Sequence, residues 1–244
     1  MTADSLGNRM KGLEDRYTHD SFLPTLPVIA RLDGKSFHTW TRGLDRPFDF
    51  EFKSLMVEVT TALLHETHAI IGYSQSDEIT LIFYNDNPEG QIYFDGKTFK
   101  INSVCASIAT AHFNNKKDSF EKFKDKPLAY FDCRSFQVPN QWEAVNCLIW
   151  RENDATRNSI LSVGQAMFSH KKLQGASCKQ IQEMLFQEKG INWNDYPSDC
   201  KKGTYLRRLP GRIEEINMPP LNKIFNGPEV IFNNAKVILK EGSR

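Results

Sequence analysis

Apolar residues at positions 6, 10, 13 and 17 follow an i, i+4, i+7, i+11 spacing, which lines one face of a helix. This predicts a polar helix over the first 20 residues. Pro24 and Pro27 then punctuate the chain before a short apolar run, Val28 to Leu32, that reads as a strand. Residues 51 to 67 return to helical periodicity, with Asp49 placed to cap the N-terminus. Two runs rich in β-branched and aromatic residues, 70 to 75 and 79 to 84, predict strands joined by a short turn. "NDNPEG" has turn composition, 98 to 114 reads as a second helix, and 128 to 138 as a fourth strand. Segments 141 to 168 and 177 to 189 look helical, and short strands and loops are expected from 203 onward.

The first four strands and two helices run β-α-β-β-α-β, the split βαβ or ferredoxin-like order of an α+β fold. That order predicts an antiparallel sheet in which the strands lie 4-1-3-2. Residues 1–139 would form this palm-like unit with its N-terminal helix, and 140–244 a mostly helical C-terminal part, with one continuous domain as the alternative.

Composition narrows the classes. The chain has 244 residues, 40% of them hydrophobic and 17 of them Phe, enough to bury a large core. No apolar run approaches the ~20 residues needed to span a bilayer, and the polar N-terminus lacks the apolar centre of a signal peptide, so the cytoplasm is expected. The five cysteines share no C-x-x-C spacing and read as reduced thiols, mostly in the core. A formal charge of +1 carries no nucleic-acid signal, although basic residues cluster in "NNKKD", "SHKK", "CKKGTYLRR" and "LPGR".

The chemistry lies in two stretches, "PVIARLDGKSFHTW" and "IIGYSQSDEITLIF". Strand one ends at Asp33 beside the start of strand three, where Asp77 sits, so two distant acids should converge at one sheet edge. Converging carboxylates repel unless a proton or cation intervenes, and oxygen donors favour Mg²⁺ or Mn²⁺. Gly34 allows a sharp turn and a close approach, so that its carbonyl could face the metal. Backbone amides in "KSFH", with Lys35, suit an anionic phosphate. The competing reading is ordinary turn chemistry, for which Asp-Gly and Ser-Asp-Glu are common. Strand alternation should turn Glu78 away from Asp77. A palm with two metal ions is a known solution for nucleotidyl transfer.

"ARLDGKSFH", "GYSQSDEITLIF", "YFDCRSF" and "WRENDATRNSI" match, in order and spacing, the motifs of the tRNA(His) guanylyltransferase family, and the resemblance runs from about Pro27 to Asn194. It implies a polymerase-like palm that extends RNA in the 3′-to-5′ direction. A tRNA 5′-monophosphate would be activated with ATP or GTP, the 3′-hydroxyl of an incoming NTP would attack, and pyrophosphate would be lost where a triphosphate remains. By the same resemblance Asp33, the Gly34 carbonyl and Asp77 would bind two Mg²⁺ ions, with Mn²⁺ able to substitute. Asp33, Gly34, Lys35, Ser36, Phe37, His38, Ser76 and Asp77 would contact the nucleotide. Arg134 resembles the family's basic residue near nucleotide or RNA phosphate, and Lys97 and Lys100 are looser matches to a phosphate-binding lysine. Asp154 and Asn158 resemble a helix motif that supports the site and contacts tRNA. Family members form dimers and tetramers, so a homotetramer is expected, with a dimer as the alternative.

Eukaryotic enzymes that add the identity guanylate to tRNA(His) carry a His-Ile-Asn-Asn type segment where this chain reads Thr156-Arg157-Asn158-Ser159. That departure, with the tail "GINWNDYPSDCKKGTYLRR", points to the branch that repairs 5′-truncated tRNAs by templated addition. For single residues the plainer readings are a surface ion pair for Arg134, a turn position for His38, solvent exposure for His65 and His68, and core packing for Trp150, Phe168 and Phe186. A palm-type nucleotide cyclase and an inactive RNA-binding platform are the rival functions. No G-x-S-x-G elbow supports hydrolase chemistry.

Overall fold

The computed structural model describes residues 3–87 and 89–241. Met1, Thr2, Pro88 (within the expected "NDNPEG" turn), Gly242, Ser243 and Arg244 lie outside them. Helix α1 (Ala3–Thr18) precedes strand β1 (Val28–Gly34), the short α2 (Phe37–Trp40) and α3 (Phe50–Thr67). Strands β2 (Ile71–Gln75) and β3 (Glu78–Phe83) follow, then α4 (Thr98–Lys117) and β4 (Phe131–Gln137). The C-terminal half holds α5 (Gln141–Met167), α6 (His170–Leu173), α7 (Cys178–Lys189) and α8 (Ser198–Lys202). It ends with β5 (Thr204–Leu209), β6 (Arg212–Ile216) and α9 (Gly227–Phe232). The fold is α+β, and none of its described helices is long and apolar enough to cross a membrane.

The expected 4-1-3-2 order is present, but the sheet does not stop there. Its six strands run β4-β1-β3-β2-β5-β6, because β5 pairs antiparallel with β2 and carries β6 with it. Tyr73 and Tyr205 are cross-strand partners with ring centroids 4.6 Å apart, and the Tyr73 hydroxyl donates to the Lys202 carbonyl at 2.6 Å. Gly203, at φ +78°, makes the turn into β5 where a Cβ would meet Tyr73 and the Ser74 carbonyl at 2.7 Å.

Strand alternation separates two cores. Val28, Ala30 and Leu32 face α3 and α4, in a cluster with Leu55, Leu63, Ile101 and Phe113. Ile29, Ile82 and Tyr73 face α5, with Ala144 and Leu148. Helix α3 is anchored at its first turn: Asp49 Oδ1 accepts from Phe52 N at 2.9 Å, and Lys122 Nζ lies 2.9 Å from Asp49 Oδ2. Burial pushes the Asp49 carboxyl up, but these bonds outweigh it and hold the group below its ordinary range. Asn140 caps α5 through Glu143 N at 2.9 Å, and a Ser177–Gln180 capping box starts α7.

Several expectations need correction. Trp150 (50% exposed) and Phe186 (58%) are surface residues, and Phe168 is half-buried against α7. Helical spacing alone does not say which face meets the core. Of the cysteines only Cys105 and Cys147 are buried, and all five are free thiols. His65 and His68 are exposed as anticipated.

Candidate functional site

The alternation that buries Val28, Ala30 and Leu32 on one face puts Arg31 and Asp33 on the other, the α5 face. Asp33 stands opposite Glu78 in the β1–β3 ladder and opposite Asp132 in the β1–β4 ladder. Three acids therefore lie in a row across the sheet edge. Beyond them Ser76 and Asp77 form the two-residue turn between β2 and β3, with Ser76 at φ +49°. Ser76 Oγ donates to Asp77 Oδ1 at 3.0 Å.

The electrostatics show the crowding. Burial pushes the Asp77 carboxyl up to about 6 from an ordinary 3.8; its own amide and Ser76 oppose this, while Asp33 and Glu78 add to it. The Asp33 carboxyl is also raised, by burial and then by Glu78 and Asp132, with Arg134 and Arg31 opposing. A buried acid pushed up further by the charges of Asp33 and Glu78 marks a site with a deficit of positive charge. The unfolded Asp77 titrates near 3.8 and the folded one near 6, so folding is penalised as pH rises through 6. In chelator, Asp77→Asn should therefore melt higher than the unsubstituted chain at pH 8, by about 1–2 kcal/mol once partial exposure is allowed for. The two curves should meet below about pH 4, and melts at both pH values check this.

Cations surround the row. Arg134 Nη2 lies 3.0 Å from Asp132 Oδ1 and 3.8 Å from Asp33 Oδ2. The ion pair anticipated for Arg134 is thus present, and it points into the site. Arg31, opposite Arg134 in the ladder, lies 5.1 Å from the centroid of the Trp150 ring. Its Nε is buried without a hydrogen-bond partner among the described residues. Arg151 pairs with Glu78 and, through Nη1, with Asp154 Oδ2 at 3.0 Å.

The residues after Asp33 divide by direction. Gly34 pairs only with Phe131, so the β3 side of its backbone is outside the ladder and open towards the Ser76–Asp77 turn. A Cβ at Gly34 would meet the Phe37 ring at 2.2 Å. Gly34→Ala should cost about 1–3 kcal/mol by overpacking, read from urea melts. Phe37 is buried in an aromatic cluster, 5.5 Å from Trp40, 5.4 Å from Phe113 and 5.2 Å from Phe131. Only its backbone is left to face a ligand. Lys35, Ser36, His38 and Ser76 are exposed. Ser36, at φ +57°, opens α2 by accepting from Thr39 N at 2.9 Å.

Other expected residues lie elsewhere. Lys97 and Lys100 start α4, where Ser21 bridges Lys97 and Phe83 stacks on Tyr93. That is the Val28 end of β1, the far end of the sheet from Asp33 and Asp77. Asn158 is exposed and lines a cavity of about 330 Å³ beside Ser76, with Asp45, Phe48, Lys53 and Cys200. The volume suits a small ligand. Asp154 is instead held by Arg151 and Arg157 (2.6 Å), and Ser159 Oγ accepts from Trp193 Nε1 at 3.2 Å.

Sequence reasoning missed Asp132, Arg31 and Arg151, and turned Glu78 the wrong way. Alternation was counted from Asp77, which sits in a turn. Counted across the ladder from Asp33, it puts Glu78 and Asp132 on the same face as Asp33. The donors around Asp33 and Asp77 are oxygens, and no group of three His, Cys, Asp or Glu suited to a metal occurs among the described residues. Two carboxylates with an open backbone edge fit a hard cation that completes its shell with water and phosphate oxygens.

Residues 7–139 match the family model for tRNAHis guanylyltransferase. A bacterial tRNA(His) guanylyltransferase-like protein in complex with ATP is 41% identical, with a TM-score of 0.84 over 89% of this chain and 95% of that one. A bacterial protein of the same description in complex with GTP is 35% identical, with a TM-score of 0.77 over 93% and 97%. The tRNA(His) guanylyltransferase of Kluyveromyces lactis is 31% identical over 86% of this chain and 94% of its own.

Proposed function

The chain belongs to the tRNA(His) guanylyltransferase family and is an enzyme, a nucleotidyltransferase of tRNA; we propose that it extends tRNA 5′ ends in the 3′-to-5′ direction with Mg²⁺. The observation that carries the reading is the convergence of Asp33 and Asp77 at one sheet edge, where burial raises both carboxyls and the Asp33 charge adds to the rise at Asp77. Asp33, Asp77 and the Gly34 carbonyl would hold two Mg²⁺ ions, for which Mn²⁺ would serve. Bound there, the cations would neutralise a triphosphate and make a hydroxyl a better nucleophile.

The chain's own residues position the reactants. Arg31 and Arg134 offer guanidinium groups to phosphate on the α5 face, and Lys35 a third cation from the loop after Gly34. In activation, a 5′-phosphate oxygen of the tRNA attacks the α-phosphorus of ATP or GTP and pyrophosphate leaves. In addition, the 3′-hydroxyl of the incoming NTP attacks the activated 5′-phosphorus and the nucleoside monophosphate leaves. Where the new 5′ end carries a triphosphate, pyrophosphate is then removed. The cavity beside Ser76 suits the nucleoside of the activating nucleotide, with Asn158 and Lys53 at its wall. No nucleophilic side chain is required, because such transfers depend on positioning and charge.

Thr156 and Arg157 stand where the identity-adding enzymes' segment begins with histidine, which favours repair of truncated tRNA over guanylate addition to tRNA(His) alone. We assign the enzyme to the cytoplasm. The test is a set of tRNAs lacking the first nucleotide, supplied with all four NTPs and Mg²⁺, with the 5′ ends sequenced. Nucleotides complementary to the opposing strand are expected. Addition of guanylate to tRNA(His) only, or of a cyclic product from NTP alone, would overturn the repair reading.

A further inference from the structure

The β4 side of the α5 face is open, and it carries exposed aromatic rings. Phe136 pairs with Ile29, which faces α5, so alternation sets Phe136, Arg134 and Asp132 in one column on that face. Phe136 is 37% exposed, and Trp142 and Trp150 on α5 are 56% and 50% exposed. Helix α5 starts shortly after β4 ends and runs back towards the acid row, which it reaches where Arg151 pairs with Glu78. Trp150 stands one position before that contact, its ring beside the Arg31 guanidinium, and Trp142 lies about 12 Å earlier along the helix axis.

The order along the column is acid, arginine, aromatic. From Asp132 to Phe136 the strand rises about 13 Å, at roughly 3.3 Å per residue, so the rings lie beyond the arginines and away from the acids. Guanidinium groups that take phosphates, followed by exposed rings that take base faces, are the means by which proteins hold unpaired nucleic acid. An apolar partner would gain nothing from Arg31 and Arg134 beside the rings, whereas a phosphate chain would. The strand opposite a truncated 5′ end is unpaired where it templates addition and beyond, so its bases have faces free to stack.

We propose that Phe136, Trp142 and Trp150 form a stacking platform for the unpaired nucleotides of the strand opposite the tRNA 5′ end. The platform rests on the reading of the chain as a templated nucleotidyltransferase and adds to it a site for the 3′ overhang. Stacking is tolerant of sequence, so the platform would hold the template strand in place without selecting which tRNA is repaired.

The test is equilibrium binding, in Mg²⁺ without NTP, of two labelled tRNAs lacking the first nucleotide, one with its full 3′ overhang and one trimmed back to the templating nucleotide. By fluorescence anisotropy the unsubstituted chain is expected to bind the first at least tenfold more tightly. Phe136→Ala and Trp142→Ala should each lose most of that difference, bind the trimmed tRNA as before and keep the melting temperature, because both rings lie at the surface. Trp150→Ala should lose it too, and Trp150→Tyr should restore it, since tyrosine still stacks. Equal affinity of the unsubstituted chain for both tRNAs, an equal loss on both tRNAs in the variants, or a change of oligomeric state with RNA binding intact would each overturn the platform. Overhang-dependent binding in a chain that extends no tRNA would uphold the platform and overturn the proposed reaction alone.

Discussion

Purified Asp77→Asn protein is expected to fold, yet to extend a 5′-truncated tRNA at least about 10³-fold more slowly, a loss of roughly 4 kcal/mol at the transition state. Asn keeps the size of the side chain and the hydrogen bond from Ser76 Oγ, but it removes the charge. The same result is expected for Asp33→Asn, in activation and in addition alike, because both steps place a triphosphate or pyrophosphate against the same edge. The loss should fall on kcat more than on KM for the nucleotide, since arginines and Lys35 still hold phosphate. Discharging one acid also removes repulsion from the other, so stability and activity should move in opposite directions. A protein merely damaged in folding would lose both. Extension at a normal rate by Asp77→Asn would remove the proposed site.

That edge was legible because it depends on topology alone. The order β-α-β-β-α-β makes β1 and β3 neighbours, and the register then sets Asp33 beside the Ser76–Asp77 turn. The β5–β6 hairpin was legible only as short strands. Nothing in Thr204–Leu209 states that it will pair with Ile71–Gln75, about 130 residues earlier, in a ladder where the Tyr205 ring lies tilted against that of Tyr73. The surface position of Trp150 was equally hidden. Helical spacing gives a face, but α5 covers the middle of the sheet and leaves β4 open, so Trp150 meets Arg31 and solvent. Lys97 and Lys100 were placed near phosphate by motif, whereas α4 begins at the opposite end of the sheet and only its C-terminal part, from Thr110, approaches Phe131. The acid row was missed for a smaller reason, a parity counted from a turn residue.

Arg151 carries the second large effect, and it acts through a partner 73 positions away. Its side chain is 5% exposed, between Glu78 at 19% and Asp154 at 23%, with the Trp150 ring 4.5 Å from its guanidinium carbon. Arg151→Met would leave Glu78 half-buried without its cation, held only by Gln75 Nε2 at 3.3 Å, beside Asp33 and Asp77. Removing one member of such a pair typically costs about 3–5 kcal/mol, which for a chain of this size lowers the melting temperature by roughly 10 °C. Removing both members is far cheaper, because the Glu78 charge goes with its partner and Asp154 keeps Arg157 at 2.6 Å. The double variant Arg151→Met, Glu78→Gln should therefore recover more than half of the lost stability, and a double-mutant cycle would read the coupling directly. Activity distinguishes positioning from bulk stability. At a temperature where both variants are fully folded, Arg151→Met should extend tRNA at least tenfold more slowly, since a loose carboxylate competes for cation and phosphate at the acid pair, and the double variant should regain most of that rate. If the single variant melts within a degree or two of the unsubstituted chain, or if Glu78→Gln does not relieve it, the Arg151–Glu78 pair is not what sets the charge at this edge.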